Sequence, residues 1–195
     1  MIDFGIQYQN YQSDMTRMCF IGEPDPKIKE IYDVVLKAQL AGLGAIKAGA
    51  KGKDVDKAAR DVIEAAGYGE YFNHGLGHGL GIGEDGEGPT LNSKSETVLQ
   101  EHMMMSCEPG VYVPGKYGIR TENMLICKKW QQNEYGAFLH FEPLTLVPID
   151  LDGVDLSLFN EKEKQLLTDY QQFVYDTLSP HLNEEESAWL HTLTL

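Results

Sequence analysis

Basic residues are scarce. The 195-residue sequence carries 16 lysines and arginines against 30 aspartates and glutamates, for a formal net charge of −14. Nucleic-acid binding rests on Lys and Arg neutralising phosphates, so nucleic acid is not an expected partner. The same balance argues against docking on anionic membranes. Long apolar runs are missing too: nothing approaches the roughly 18–20 consecutive apolar residues that a helical membrane span needs. The first residues, MIDFGIQYQN, have neither a basic stretch nor an apolar core, so they do not read as a secretory signal. Cysteine is sparse as well. Cys19, Cys107 and Cys127 are an odd number without metal-type spacing, each in an apolar, strand-like stretch. They read as buried free thiols in a reducing, cytoplasmic compartment. The length suits one domain, or one domain with an extension, and 42% hydrophobic residues suffice for a core.

What is present alternates between strand and helix signals. Residues 1–8 and 15–21 read as two strands around a polar turn, hence a hairpin. Asp25 and Pro26 suit the N-cap and first position of a helix running to about Lys47, with Ile28, Ile31, Val34, Val35, Ala38 and Ala41 at helical spacing. A second helix is expected from about Val55 to Ala66, with Gly67 placed to end it. Residues 102–107 read as a strand, EPGVYVPGKYG as turn-rich, and GIRTENMLICKK and AFLHFEPLTLVPI as further strands. After about residue 150 two amphipathic helices follow. The division is therefore 1–150 for a core and 151–195 for a helical extension, in an α+β rather than a doubly wound architecture.

The stretch FNHGLGHGLGIGEDGEGP, residues 72–89, places two histidines four apart in backbone where seven of eighteen residues are glycine. Elsewhere, carboxylates fall in or beside apolar strands. Asp3 and Asp14 are eleven residues apart across the hairpin, and Glu108 and Glu122 fourteen apart across a strand–turn–strand passage. Taken singly, these are ordinary turn or surface residues. Taken together, four carboxylates in apolar surroundings would each cost several kcal/mol to bury unpaired, and one bound cation offsets that for all. His78 completes a donor set of four carboxylates and an imidazole, the kind that divalent metals accept.

IDFG, SDMTR, HGLGHGLG, EPGVY and GIRTEN, in this order, resemble the pita-bread metallopeptidases: aminopeptidase P, Xaa-Pro dipeptidase (prolidase) and methionine aminopeptidase. The tail from HFEPLTLVPID onward looks like the C-terminal extension of the longer aminopeptidase P proteins. The resemblance implies a curved antiparallel sheet with helices on its outer face. It implies two divalent metals, manganese foremost with cobalt or zinc as alternatives. Asp3 would bind one, His78 and Glu108 the other, and Asp14 and Glu122 would bridge. Glu108 would also shuttle a proton to the leaving prolyl nitrogen, and His74 would face the substrate. Arg120, two residues before Glu122, could support a carboxylate by a charged hydrogen bond. Tyr8, Tyr11, Tyr112 and Tyr117 lie near these residues in sequence and could line a pocket for proline.

The implied activity is removal of the N-terminal residue from peptides with proline second, on proline-containing peptide substrates and in a homo-oligomer. Two alternatives accompany it: an Xaa-Pro dipeptidase with the same centre, and a pita-bread module that binds peptides without cleaving them. Two departures from the family bear on this. Seven residues after His78 the family usually has a second substrate-facing histidine, where this chain has Asp85. The chain also starts two residues before its first expected ligand, and so reads as the C-terminal part of a longer protein, with weak or no turnover by itself.

Overall fold

The computed structural model describes residues 1–45, 47, 49–82 and 88–194. The opening hairpin forms as two short ladders. β1 (Ile2–Phe4) pairs antiparallel with β4 (Met15–Arg17), which puts Asp3 opposite Thr16. Between them β2 (Gln7–Tyr8) pairs with β3 (Tyr11–Gln12) around Gln9 and Asn10. Both turn residues have positive φ, as a two-residue hairpin loop demands. β4 stops at Arg17, short of the strand expected over 15–21, because Ile2 is already the partner of Arg17 and no strand is left to pair residues 19–21. Cys19 lies in that unpaired stretch and is exposed, which corrects the expectation of three buried thiols; Cys107 and Cys127 are buried and free.

Helix α1 (Pro26–Gly44) begins as its sequence predicts, with Asp25 Oδ1 accepting from the Lys27 amide at 2.7 Å. It ends earlier than its periodicity suggests, where Gly42 and Gly44 lower helix propensity. Helix α2 (Gly52–Ala65) starts before Val55 because the Asp54 carboxylate accepts from the Lys51 amide at 3.1 Å. It closes at Gly67, whose φ of +85° lets the Tyr68 amide reach back to the Ile63 carbonyl.

Two long passages then run antiparallel to each other. β5 (Met104–Cys107) pairs with the start of β8 (Asn123–Asn133), and β6 (Gly110–Val113) pairs with β7 (Tyr117–Arg120). The turn in EPGVYVPGKYG is confined to residues 114–116, so most of that stretch is strand. Both passages break at the same level. Glu108 and Pro109 separate β5 from β6, and Thr121 and Glu122 separate β7 from β8. β9 (Gly136–Pro143) extends the sheet along β8, with an irregularity at Trp130. Among the described residues the pairings are antiparallel throughout, and this sheet with separate helices is the α+β arrangement that the resemblance implies. α1 packs across β5, β6 and β7. Ile31, Val35 and Leu36 meet Ala59 and Ile63 of α2 and Leu76, Met105, Ile119 and Leu125 in one core.

The C-terminal region folds back on this layer. α3 (Glu161–Leu178) opens on a reciprocal cap, Asn160 with Glu163, and α4 (Glu184–Thr194) on another, Asn183 with Glu186. Gln171 is 1% exposed and satisfies both backbone groups of Ile149 while reaching the Leu193 carbonyl, so α3 is stitched to the chain before and after it. Among the described residues, no helix is long and apolar enough to cross a membrane.

Candidate metal centre

The glycine-rich segment is drawn into the sheet. The Ser106 amide donates to His78 O and the Glu108 amide to Leu76 O, while Gly77 and Leu91 exchange backbone bonds on the other side. A Cβ at Gly77 would stand 2.0 Å from Ser106 O, so only glycine allows this approach. Asp56 and Arg60 of α2 hold the segment from below. Asp56 Oδ1 accepts from the Leu76 amide, and Arg60 donates to the carbonyls of Phe72 and His74 while paired with Asp56.

Asp14, His78 and Glu122 converge: each offers one ligand atom within 4.8 Å of the others. His78 Nδ1 lies 3.1 Å from Gly79 O, which can only accept. The Nδ1 proton is therefore fixed there, and Nε2 points at the carboxylates, 3.2 Å from Glu108 Oε1 and 3.6 Å from Asp14 Oδ2. Glu108 Oε1 also accepts from Ser106 Oγ, which in turn accepts from the His78 amide. Glu122 is held on one side only. Its Oε2 accepts from Thr16 Oγ1 at 2.7 Å, and its Oε1 is buried without a hydrogen-bond partner among the described residues.

Asp3 stands apart from that trio. Its carboxylate is half-exposed and paired with Arg120. Arg120 also donates to Thr16 Oγ1 at 2.9 Å and to the Tyr112 hydroxyl at 3.0 Å. Its Nε lies 3.9 Å from both Glu108 and Glu122, so it links Asp3 to the other carboxylates. His74 is engaged at both ring nitrogens. Nδ1 lies 2.7 Å from Gly75 O and must donate, which leaves Nε2 to accept from Tyr112, 2.8 Å away. The chain Arg120 to Tyr112 to His74 thus runs in one direction. His74 borders a cavity of about 420 Å³ together with His78, Thr90, Asn92, Glu108 and Arg120. A larger, mostly apolar cavity of about 810 Å³ lies between α1, β9 and α3, and none of the five expected ligands lines it.

The electrostatics follow from this crowding. Burial, then the charge of Glu108, pushes Glu122 up to about 8, against the pull of Thr16 and Arg120. The hydrogen bond that His78 donates to the Glu108 carboxylate raises His78 to about 9 in spite of burial. Burial raises Asp14, with His78 opposing. For Glu108, burial acts upward, but the hydrogen bond and charge of His78 outweigh it, and its net shift is downward. A buried carboxylate with an orphaned oxygen, beside two further carboxylates and an imidazole whose Nε2 faces them, suits a divalent cation.

Four residues lay outside the reading of the sequence. Thr16 and Ser106 orient Glu122, Glu108 and His78, and Thr90 and Asn92 border the cavity. Strand alternation could have found Thr16, since it shares a face with Asp14. Nothing in the sequence marks the others. Tyr8 and Tyr11 are exposed, and none of Tyr8, Tyr11, Tyr112 and Tyr117 borders the cavity, against the expectation that they line it; Tyr112 reaches it only through His74. Asp85 lies outside the described residues.

The model of metallopeptidase family M24 matches residues 1–129, and that of the C-terminal region of peptidase M24 matches residues 137–195. The chain belongs to metallopeptidase family M24. It is 46% identical over 129 residues to the Xaa-Pro dipeptidase of Pyrococcus horikoshii, covering 66% of this chain and 36% of that one. Among solved structures it is similar to X-Pro aminopeptidase from Thermotoga maritima, at 42% identity and a TM-score of 0.67, over 75% of this chain and 39% of the other. It is also similar to X-prolyl aminopeptidase from Caenorhabditis elegans, described as a cytosolic enzyme with a di-nuclear active site. That match has 30% identity and a TM-score of 0.87 over 99% of this chain and 32% of the other. The chain thus spans a little over a third of the first two and about a third of the last.

Proposed function

We propose that Asp3, Asp14, His78, Glu108 and Glu122 hold two divalent metal ions, manganese foremost, and that the site hydrolyses Xaa-Pro peptide bonds in the manner of an aminopeptidase. The observation that carries this is the convergence of Asp14, His78 and Glu122 around the orphaned Glu122 oxygen. A bound metal pair supplies a water acidified towards neutral pH and polarises the scissile carbonyl.

The chain's own residues supply the rest. Glu108, hydrogen-bonded to Ser106 and facing His78, would pass a proton to the leaving prolyl nitrogen, a role its contacts with both support. Arg120 holds Asp3 and, through Thr16, the Glu122 carboxylate. His74 borders the cavity as a substrate contact, with its ring orientation held by Gly75 O and Tyr112. Substrates are proline-containing peptides. Residues 1–150 form the catalytic unit and 151–195 the helical extension. The cytoplasm is the setting the cytosolic C. elegans relative supports. The exposed apolar side chains of Ile2, Phe4 and Ile6 support a homo-oligomer.

A match spanning both the core and the C-terminal region supports the aminopeptidase reading. The Pyrococcus horikoshii relative supports a dipeptidase as the second reading. The experiment is manganese binding and hydrolysis on one preparation, with an Xaa-Pro-Xaa tripeptide and an Xaa-Pro dipeptide side by side. Cleavage of the tripeptide supports the first reading, and cleavage of the dipeptide alone supports the second. Asp85→His, assayed beside the parent, tests whether position 85 limits turnover.

A further inference from the structure

Arg17 is 3% exposed, yet no aspartate or glutamate among the described residues pairs with it. A buried guanidinium without a counter-charge persists only where its donors are all met. Here they are, by neutral acceptors alone. Nη1 donates to the carbonyls of Thr16 (2.9 Å) and Glu122 (2.6 Å). Nη2 donates to Asn123 Oδ1 (2.6 Å), Val147 O (2.8 Å) and the Tyr170 hydroxyl (2.7 Å). Nε faces the carbonyls of Val147 and Pro148.

The two residues gripped by Nη1 are those that lock the Glu122 carboxylate. On one face of β4 the Thr16 hydroxyl binds Glu122 Oε2; on the other, Arg17 binds the backbone carbonyls of both. The outer side of the same guanidinium grips the segment leading into α3 and a tyrosine of α3 itself. Tyr170 is anchored in turn on Val147 O and Thr145 O. One planar fork therefore spans the metal centre and the C-terminal region. A lysine, a single point donor, cannot reproduce that reach.

The geometry points to Arg17 as a positioning residue that makes the set of the Glu122 carboxylate depend on the C-terminal region through Tyr170. This rests on the metal-binding reading of Glu122. It gives residues 144–178 a role in the centre although none of them borders the cavity beside it.

The test compares the full chain with Arg17→Lys, Tyr170→Phe and Lys37→Met. The last cuts a different tie to the C-terminal region, the bond from Lys37 Nζ to Leu158 O. Circular dichroism and urea midpoints report fold and stability. Manganese titration and the visible absorption bands of the cobalt-loaded protein report the centre. Arg17→Lys is expected to keep the fold, weaken manganese binding roughly 10–100-fold and alter the cobalt bands, as loss of outer partners of metal ligands does. Tyr170→Phe moves both readouts the same way by less, and Lys37→Met moves neither. Parent-like manganese affinity and cobalt bands in both Arg17→Lys and Tyr170→Phe, whatever their stability, overturn the proposal. If Arg17→Lys does not fold, Tyr170→Phe decides alone by the same criteria. A parent chain that binds no manganese overturns the metal reading itself, and this dependence with it.

Discussion

Thr16 and Glu122 lie 106 positions apart and hold each other twice. The Thr16 hydroxyl donates to Glu122 Oε2 at 2.7 Å, and the Glu122 amide donates to the Thr16 carbonyl at 3.0 Å. The hydroxyl is the carboxylate's one hydrogen-bond donor among the described residues. Thr16→Val keeps the shape and the backbone bond but strips that donor. It is expected to destabilise the metal-free protein by about 1–3 kcal/mol, read from urea unfolding, and to weaken manganese binding, while Thr16→Ser stays near the parent. Equal behaviour of the Val and Ser variants would show that the hydroxyl does not matter.

The pH dependence has a definite sign. Glu122 at about 8 and His78 at about 9 both lie above their ordinary values of 4.5 and 6.5. The folded, metal-free chain therefore binds protons more tightly than the unfolded chain. Their stabilisation is complete below the ordinary values and is lost as pH rises, through about 8 for Glu122 and about 9 for His78. Raised Asp14 acts in the same direction; lowered Glu108 acts oppositely, in more acid solution. Metal-free protein should lose stability between pH 6 and 9, by a few kcal/mol, and Glu122→Gln should flatten the slope. Metal binding requires the same protons to leave, so manganese should bind more tightly and stabilise more at pH 8 than at pH 6. A metal-free stability that rises over this range would contradict the assignment.

Asp56 and Arg60 offer a third check. The Asp56 side chain is 1% exposed, and that of Arg60 is 21% exposed. Together they satisfy the Leu76 amide and the carbonyls of Phe72 and His74, on the segment that carries both histidines. Arg60→Met leaves a buried carboxylate without its cation and should cost about 3 kcal/mol, less whatever solvent recovers at the exposed edge. Hydrogen exchange at residues 74–78 should quicken in the variant. Unchanged exchange there would mean that α2 does not hold the segment.

Part of the candidate site was legible because its carboxylates come in pairs at strand spacing. The eleven- and fourteen-residue intervals imply hairpins, and both form; Asp14 and Glu122 then meet His78, while Asp3 stands apart with Arg120. The capped start of α1 was legible for the same local reason. The rest was not, because its partners are remote. Arg17 meets Val147 and Tyr170, 130 and 153 positions away, and no short-range pattern announces such a contact. Cys19 misled because an apolar stretch implies burial only where a partner strand continues to cover it.

The most direct measurement is the number of manganese ions retained per chain, by titration calorimetry and elemental analysis, for the parent, His78→Ala and Glu122→Gln. Five donors around two sites predict about two ions for the parent and at most one for His78→Ala, with weakened binding of both in Glu122→Gln. A parent that retains no manganese, or variants that match its stoichiometry and affinity, would contradict the assignment of these residues to a metal centre.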